Sequence, residues 1–222
     1  MAPHAEVNGL PLLSLRLCLP RTGLWHGELT AESEDVLDYA IAFSIGGVGF
    51  SGTARTTAVT AGTAVASFVA GAGGLQKAAA PKSYRDVELS VVLQDILNSS
   101  GETLASSASR SVTGLKLAAW TVVAGKCGSA LNALINLGAR DALEDAVWRA
   151  LPDGTLYVGE EGWVSADIEH QVLQEDPMAA RLVAYMETPS LLPGTEFRDR
   201  HVSYVEHILK DSTLRTHVWF EK

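Results

Sequence analysis

In residues 13–19 the leucines Leu13, Leu15, Leu17 and Leu19 fall on every second position, with Ser14, Arg16 and Cys18 between them. A period of two places all four leucines on one face of an extended strand, and such a face needs an opposing sheet to cover it. Pro20-Arg21-Thr22-Gly23 ends the run, and residues 24–30 can return as its hairpin partner. Residues 36–43 alternate again, with Leu37, Tyr39, Ile41 and Phe43 against Val36, Asp38, Ala40 and Ala42. Further strands are expected over 50–57 and 64–70, ending at the turn Gly71-Ala72-Gly73-Gly74. Short strands at this spacing belong to a sandwich or a barrel.

After Pro81 the period changes. Val87, Val91, Val92 and Ile96 recur at helical spacing over residues 87–98, with Gly101 as the stop. A second helix is expected over 129–137, burying Leu131, Leu134 and Ile135 and stopping at Gly138, and residues 141–147 can extend the helical layer. Residues 102–125 carry no clear period. The last third returns to strands. Trp148-Arg149-Ala150-Leu151 and Thr155-Leu156-Tyr157-Val158 flank Pro152-Asp153-Gly154, in which Pro sets the first turn torsion and Gly accepts a positive φ. Residues 202–209 and 214–220 flank a second turn at 210–213. The expected class is a β-rich α+β chain of three parts: a first β unit over 1–80, a helical or mixed insert over 81–146, and a second β unit over 147–222 with its C-terminal hairpin.

Composition narrows the function classes. The 222 residues are 47% hydrophobic and 19% charged, enough apolar material for a packed core. Net charge is −9, and an acidic surface repels a phosphate backbone, so nucleic-acid affinity is not expected. Two cysteines, Cys18 and Cys127, are expected as buried free thiols. Residues 1–6 lack a basic segment leading into an apolar run, so export is not expected. Residues 56–76 carry no charge, but Thr, Ser, Ala and Gly dominate them and gain little from hydrocarbon, so strand and turn are expected there.

Chemistry-bearing patterns are sparse. Gly47-Val48-Gly49-Phe50-Ser51-Gly52 has the G-x-G-x-x-G spacing of a dinucleotide loop, which requires a helix directly after it and an acidic residue about 20 positions on. Thr53-Ala54-Arg55-Thr56-Thr57 follows instead, and the next acid is Asp86. Gly71-Ala72-Gly73-Gly74 lacks the Lys-Ser/Thr of a phosphate loop. His201 and His207 share strand parity, with His217 on the partner strand, but six strand residues span about 20 Å, too far for one metal. Cys127 has no thiol-protease surrounding, and Glu144-Asp145, Glu160-Glu161 and Glu175-Asp176 are adjacent acids that point apart. No catalytic, cofactor-binding or metal residue is expected, and no cofactor.

Several segments together resemble the baseplate hub proteins of tailed phages, the group of the late-control protein D family and the Mu-like hubs. They are Val7-Asn8-Gly9-Leu10-Pro11, Pro20-Arg21-Thr22-Gly23-Leu24-Trp25, Gly73-Gly74-Leu75 and Tyr84-Arg85-Asp86-Val87 with its helix to Gly101. Trp148 to Thr155, Leu192-Pro193-Gly194-Thr195, Val205-Glu206-His207 and Leu214-Arg215-Thr216 complete the set. The resemblance implies two related β-barrels per chain and a homotrimer whose six barrels form a ring, an adaptor between a sixfold tail tube and a threefold spike. It further implies a non-enzymatic virion protein of the tail baseplate, made in the host cytoplasm and not inserted in a membrane. Its partners would be the tail tube or distal tail protein, the central spike and the tape-measure protein, with DNA only in transit past an acidic lumen. The chain is short for such a hub, so peripheral insertions or one complete interface are expected to be missing. Two other classes compete: the hub portion of a secretion-system spike, and a tail-associated cell-wall hydrolase using Glu161, Asp167 or Glu169.

Overall fold

The structure, a computed structural model, describes residues 5–185 and 188–221. Two compact units are present: residues up to Ala70 grouped with those from Gly162 onward, and Gly71–Glu161. Among the described residues the chain is mostly β, with its helices short and confined to the second unit.

In the first unit β1 (Ala5–Val7), β2 (Leu10–Pro20), β3 (His26–Glu32), β4 (Ala40–Ile45), β5 (Val48–Thr60) and β6 (Thr63–Ala70) pair in the order β1-β4-β5-β6-β3-β2. Strand β2 then returns to β1 through Val7–Leu10 and Glu6–Pro11, so the sheet closes into a six-stranded barrel. Closure removes the barrel's free edges and leaves an interior narrow enough for side chains to fill. Trp25 is 1% exposed and meets Phe50 and Phe43 edge-on at 5.7 and 6.0 Å, while Phe43 stacks on Phe50 at 5.1 Å. Leu15, Leu17 and Leu19 are buried as their alternation requires, but Leu13 is 45% exposed. The cause is a bulge: Leu12 and Ser14 pair with the consecutive residues Ala31 and Thr30, so Leu13 is an extra residue and the alternation slips by one before Ser14.

The glycine-rich run is a hairpin. Gly46 (φ 52°) and Gly47 (φ 82°) make the two-residue turn between β4 and β5, a geometry that matches strand twist and favours glycine. A 13-residue strand follows where a dinucleotide loop would need a helix. The uncharged stretch at 56–76 likewise runs through the end of β5, all of β6 and the turn after it. No helix among the described residues is long and apolar enough to cross a membrane.

The second unit contains β7 (Ala78–Ala79), β8 (Lys82–Glu88), α1 (Leu89–Ser100), α2 (Arg110–Thr113), β9 (Lys116–Val122), β10 (Gly125–Lys126), α3 (Cys127–Ala133), β11 (Ala146–Ala150) and β12 (Leu156–Glu160). Helix α1 buries Leu89, Val92, Leu93, Ile96 and Leu97, and Gly101 (φ 81°) ends it by donating its N–H to Leu97 O. The expected start at Val87 is two residues early, because β8 pairs with β9 as far as Glu88–Lys116. That pairing also gives the unreadable 102–125 stretch its strand. Helix α3 continues into a π-helical turn, Leu134–Ala139, and residues 141–145 form turns rather than more helix.

Strands β11 and β12 pair with each other from Ala146–Glu160 to Ala150–Leu156. They group with the second unit, although their sequence position had placed them at the start of a second barrel. Their turn is as read. Gly154 has φ 84°, Leu151 and Thr155 hydrogen bond across the turn, and Asp153 Oδ1 accepts from Thr155 N at 2.9 Å. A β-branched residue at that φ is strained, so Gly154→Val is expected to cost about 1–3 kcal/mol, read as a lower melting temperature. An unchanged melting temperature would mean that the turn relaxes at no cost.

The chain then rejoins the first unit with β13 (Val164–Ser165), β14 (Gln171–Asp176), β15 (Arg181–Tyr185), β16 (Thr195–Phe197), β17 (Arg200–Lys210) and β18 (Thr213–Phe220). They pair in the order β13-β16-β17-β18-β15-β14, which repeats β1-β4-β5-β6-β3-β2 strand for strand. Short β13 runs parallel to β16, where β1 runs antiparallel to β4. The two sets are one continuous sheet, joined where Ser14–Lys210 through Pro20–Tyr204 pair β2 with β17.

Candidate assembly surface

Irregularities in the ladders show how closely the two strand sets correspond. Leu13 is the extra residue of β2 against β3, and Leu173 is the extra residue of β14 against β15. Arg55 is the extra residue of β5 against β6, and Ser203 is the extra residue of β17 against β18. Strand order and bulge positions agree together, so β14 is the counterpart of β2 and β17 the counterpart of β5. Buried counterparts follow: Leu29 with Leu182, Phe68 with Phe220, and Ala54 with Val202, each 4% exposed or less. The bulge leucines correspond as well, with Leu13 45% and Leu173 48% exposed.

The β2–β17 joint carries the unit's buried polar cluster. Glu206 is 6% exposed, receives Arg16 Nε on Oε1 at 2.7 Å, and has His217 Nδ1 3.2 Å from Oε2. Burial pushes the His217 pKa down although Glu206 works against it, and burial pushes the Tyr204 phenol up. Arg16 is 65% exposed, so its pairing with Glu206 adds about 1 kcal/mol at most and serves mainly to satisfy the buried carboxylate. On the opposite face of β17, His207 is fully buried with Nδ1 3.0 Å from Thr216 Oγ1.

The free edges lie elsewhere in this unit. Strand β4 covers β5 only over residues 48–53, and Ala54 N donates to Tyr39 O, so among the described residues nothing pairs with that edge over 55–60. Among the described residues strand β14 pairs with β15 alone, and its residues are exposed except Asp176, which is intermediate. Val172 and Leu173 stand 37% and 48% exposed on it, and Met178 in the following turn is 92% exposed. A half-buried stack joins Trp163 to His201 at 3.9 Å with the Arg21 guanidinium 4.7 Å from the Trp163 ring, and Arg21 also pairs with Glu221.

The candidates raised by sequence fall as follows. His201 and His207 do not share a face, because the bulge at Ser203 breaks the alternation between them; His217 does lie on the paired strand, opposite Glu206. Glu161, in the second unit, is 8% exposed and held by both terminal guanidinium nitrogens of Arg149 at 2.7 and 2.9 Å, the bidentate geometry of a structural ion pair. Asp167 and Glu169 are exposed on a loop of the first unit. Cys18 and Cys127 are free and buried, and burial pushes the Cys127 thiol up. Among the described residues no three His, Cys, Asp or Glu side chains are placed to hold a metal. In the second unit a groove of about 240 Å³ is lined by Lys82, Tyr84 and Asp95, which satisfy one another: Lys82 pairs with Asp95, and Tyr84 Oη donates to Asp95 at 2.9 Å. Burial, aided by that carboxylate, pushes the Tyr84 pKa up to about 12. Glu102, which sequence reasoning missed, accepts from Ala72 N and Gly74 N at 2.9 and 2.8 Å and so holds the glycine-rich turn.

No protein-family model and no curated protein sequence matches the chain. Solved structures do. The 43 kDa tail protein of prophage MuSo2 from Shewanella oneidensis superposes with a TM-score of 0.68 at 8% identity, over 98% of this chain and 97% of that one. An E. coli component of the type VI secretion system, itself similar to T4 bacteriophage tail proteins, gives 0.58 at 8% identity over 98% of this chain and 77% of that one. A chain of the lidded Francisella PdpA–VgrG complex gives 0.53 at 8% identity over 99% of this chain and 49% of that one. At such identities the likeness is one of architecture: the chain has the fold of the phage tail hub proteins.

Proposed function

We propose that this chain is a structural hub of a phage tail baseplate: a homotrimer that adapts a sixfold tail tube to a threefold spike and forms part of the channel for the tape-measure protein and DNA. The observation that carries it is the internal duplication, two six-strand sets with one strand order and matching bulges on a continuous sheet. Three copies of a duplicated chain present six equivalent surfaces to one partner and three to another. In this reading the second strand set also closes as a barrel, and the repeated exposed leucines, Leu13 and Leu173, meet the sixfold partner. The tape-measure protein, the spike and the tube or distal tail protein are its neighbours, and its place is the virion. The role is architectural and asks for no catalysis.

A secretion-system spike hub shares the fold, and the E. coli and Francisella structures favour it as the second reading. The higher TM-score of the prophage tail protein supports the phage tail. Sedimentation equilibrium and negative-stain imaging of the purified chain test the proposal. A particle of three 23.5 kDa chains, appearing as a ring with six lobes, is expected. A monomer at every concentration, with no rings, overturns it.

A further inference from the structure

We propose that Asn8 is a deamidation site protected by the closed barrel, and that its conversion to an acid releases β1 and opens the barrel's seam. The inference concerns the first strand set alone and goes beyond the assembly reading, since it holds whatever partner the chain meets. The seam is the shortest part of the barrel wall. Strand β1 spans only Ala5–Val7, meeting β4 at Ala5–Ile45, Glu6–Ser44 and Val7–Phe43, and β2 at Glu6–Pro11 and Val7–Leu10. Asn8 (φ 48°) and Gly9 (φ 81°) then turn the backbone away from β4 and into β2, the Asn-Gly pair that a two-residue hairpin turn with two positive φ values favours.

The side chain of Asn8 continues the ladder that its backbone leaves. Asn8 N donates to Ala42 O at 2.7 Å, and Asn8 Oδ1 accepts from Ala42 N at 2.8 Å. Asn8 Nδ2 donates to Ala40 O at 3.0 Å. In the β1–β4 register residue 8 faces Ala42 and residue 10 would face Ala40, so one amide supplies the carbonyl of the first position and the N–H of the second. A backbone N–H only donates and a backbone C=O only accepts, so these two partners fix which way the amide points. A carboxylate lacks the donor. At position 8 it sets a charged oxygen against Ala40 O and leaves that stretch of the β4 edge unpaired.

Asn-Gly is also the pair most open to loss of ammonia. The Gly9 nitrogen, having given up its proton, attacks Asn8 Cγ and forms a new N–C bond. The Cγ–Nδ2 bond breaks, ammonia leaves with the proton, and water opens the resulting succinimide to aspartate or to isoaspartate, whose main chain is longer by a methylene. Glycine leaves the nucleophile unshielded: a Cβ at Gly9 would meet nothing within 4 Å, and both residues are exposed. Solvent therefore reaches the turn, while the bonds to Ala40 and Ala42 hold Asn8 Cγ against β4. Ring closure needs that latch undone, so the reaction proceeds from the population in which β1 has left β4. The acid then opposes its return, and a transient opening becomes permanent.

Mass spectrometry of the peptide that carries Asn8 tests the protection on the full-length protein. In mildly alkaline buffer the folded chain should convert at least about 10-fold more slowly than the chain unfolded in guanidinium chloride. Equal rates would mean that the amide is not held, and they overturn the proposal. Amide hydrogen exchange tests the consequence. Asn8→Asp should speed deuterium uptake over residues 5–8 and 40–45 at least about 10-fold, with uptake over α1 of the second unit unchanged. Asn8→Gly keeps the positive φ, removes the amide and cannot deamidate, so its uptake should rise less than that of Asn8→Asp, there being no charge to face Ala40 O. Uptake in Asn8→Asp equal to that of the unmodified chain would mean that β1 stays docked without the amide, and this too overturns the proposal. Either failure leaves the hub reading standing, because none of these measurements depends on how copies assemble.

Discussion

Trp25→Ala will cost the first barrel about 3–5 kcal/mol, read as a lower urea midpoint with the slope unchanged. The indole is 1% exposed and is the common neighbour of Phe43, Phe50 and Phe68, with ring centroids 5.7–6.1 Å away. Its backbone also matters to closure, because Trp25 O accepts from Ala70 N at 2.9 Å and so ties the entry to β3 to the end of β6. Alanine keeps that bond and removes only the ring. A closed ladder resists collapse: each of the six strands is hydrogen bonded to two neighbours, so the walls cannot move inward to fill the void. The cavity term therefore adds to the lost transfer free energy, which places the substitution at the high end of core truncations. Trp25→Phe, which keeps a ring against Phe50, should cost less than half as much. A loss below 1 kcal/mol for Trp25→Ala would mean that the aromatic cluster is not what the barrel packs around.

Local features of this fold were open to sequence reasoning, because each depends on residues close together in the chain. The leucine alternation located β2, Pro152-Asp153-Gly154 located a turn with the positive φ it requires, and the spacing from Val87 to Ile96 located α1 to within two residues. The bulges were not legible. Nothing about Leu13, Arg55, Leu173 or Ser203 marks it as an extra residue, and each bulge reverses the parity beyond it. That is why Leu13 parts from Leu15, and His201 from His207.

The duplication was expected from the order of elements and from the resemblance, but its residue correspondence was hidden, because counterparts share a backbone role without sharing chemistry: Leu15 corresponds to Glu175, Ala58 to Glu206 and Val59 to His207. In each pair one member is buried where β2 meets β17 and the other is exposed or half-buried on an open edge, so different side chains are required. Sheet membership is non-local too. The strands that join the first barrel begin after Gly162, more than 90 residues beyond Ala70, whereas the β11–β12 hairpin between them pairs only with itself. The candidate surface was missed for the same reason: an open edge is defined by strands that are far apart in sequence.

Lowering the pH from 7 to 4.5 will remove about 2–3 kcal/mol of stability through His207 alone. The imidazole is fully buried, and burial pushes its pKa down to about 3 from an ordinary value near 6.5. Between those values the unfolded chain binds a proton at this position and the folded chain does not. The unfolded state is then the more protonated, and stability falls as pH falls, by about 1.4 kcal/mol per unit once the unfolded group is fully charged. Above pH 7 both states are neutral and the contribution is flat. The groups packed around the ring compensate only in part: a backbone hydrogen bond with Leu191 favours the charged form but is outweighed by burial, Thr216 Oγ1 meets Nδ1 at 3.0 Å, Leu17 lies opposite on β2, and the Glu206 carboxylate is engaged by Arg16 and His217 in a separate cluster. His217, also pushed down by burial, adds a smaller slope of the same sign. Urea midpoints at pH 7 and 4.5 for the unmodified chain and for His207→Gln separate this contribution from that of the carboxylates. The glutamine amide can still meet the Thr216 hydroxyl and does not titrate, so the variant should be less stable at pH 7 yet lose about 2–3 kcal/mol less on acidification. Equal pH dependence in the two proteins would mean that water reaches His207 and that the β2–β17 joint opens around it.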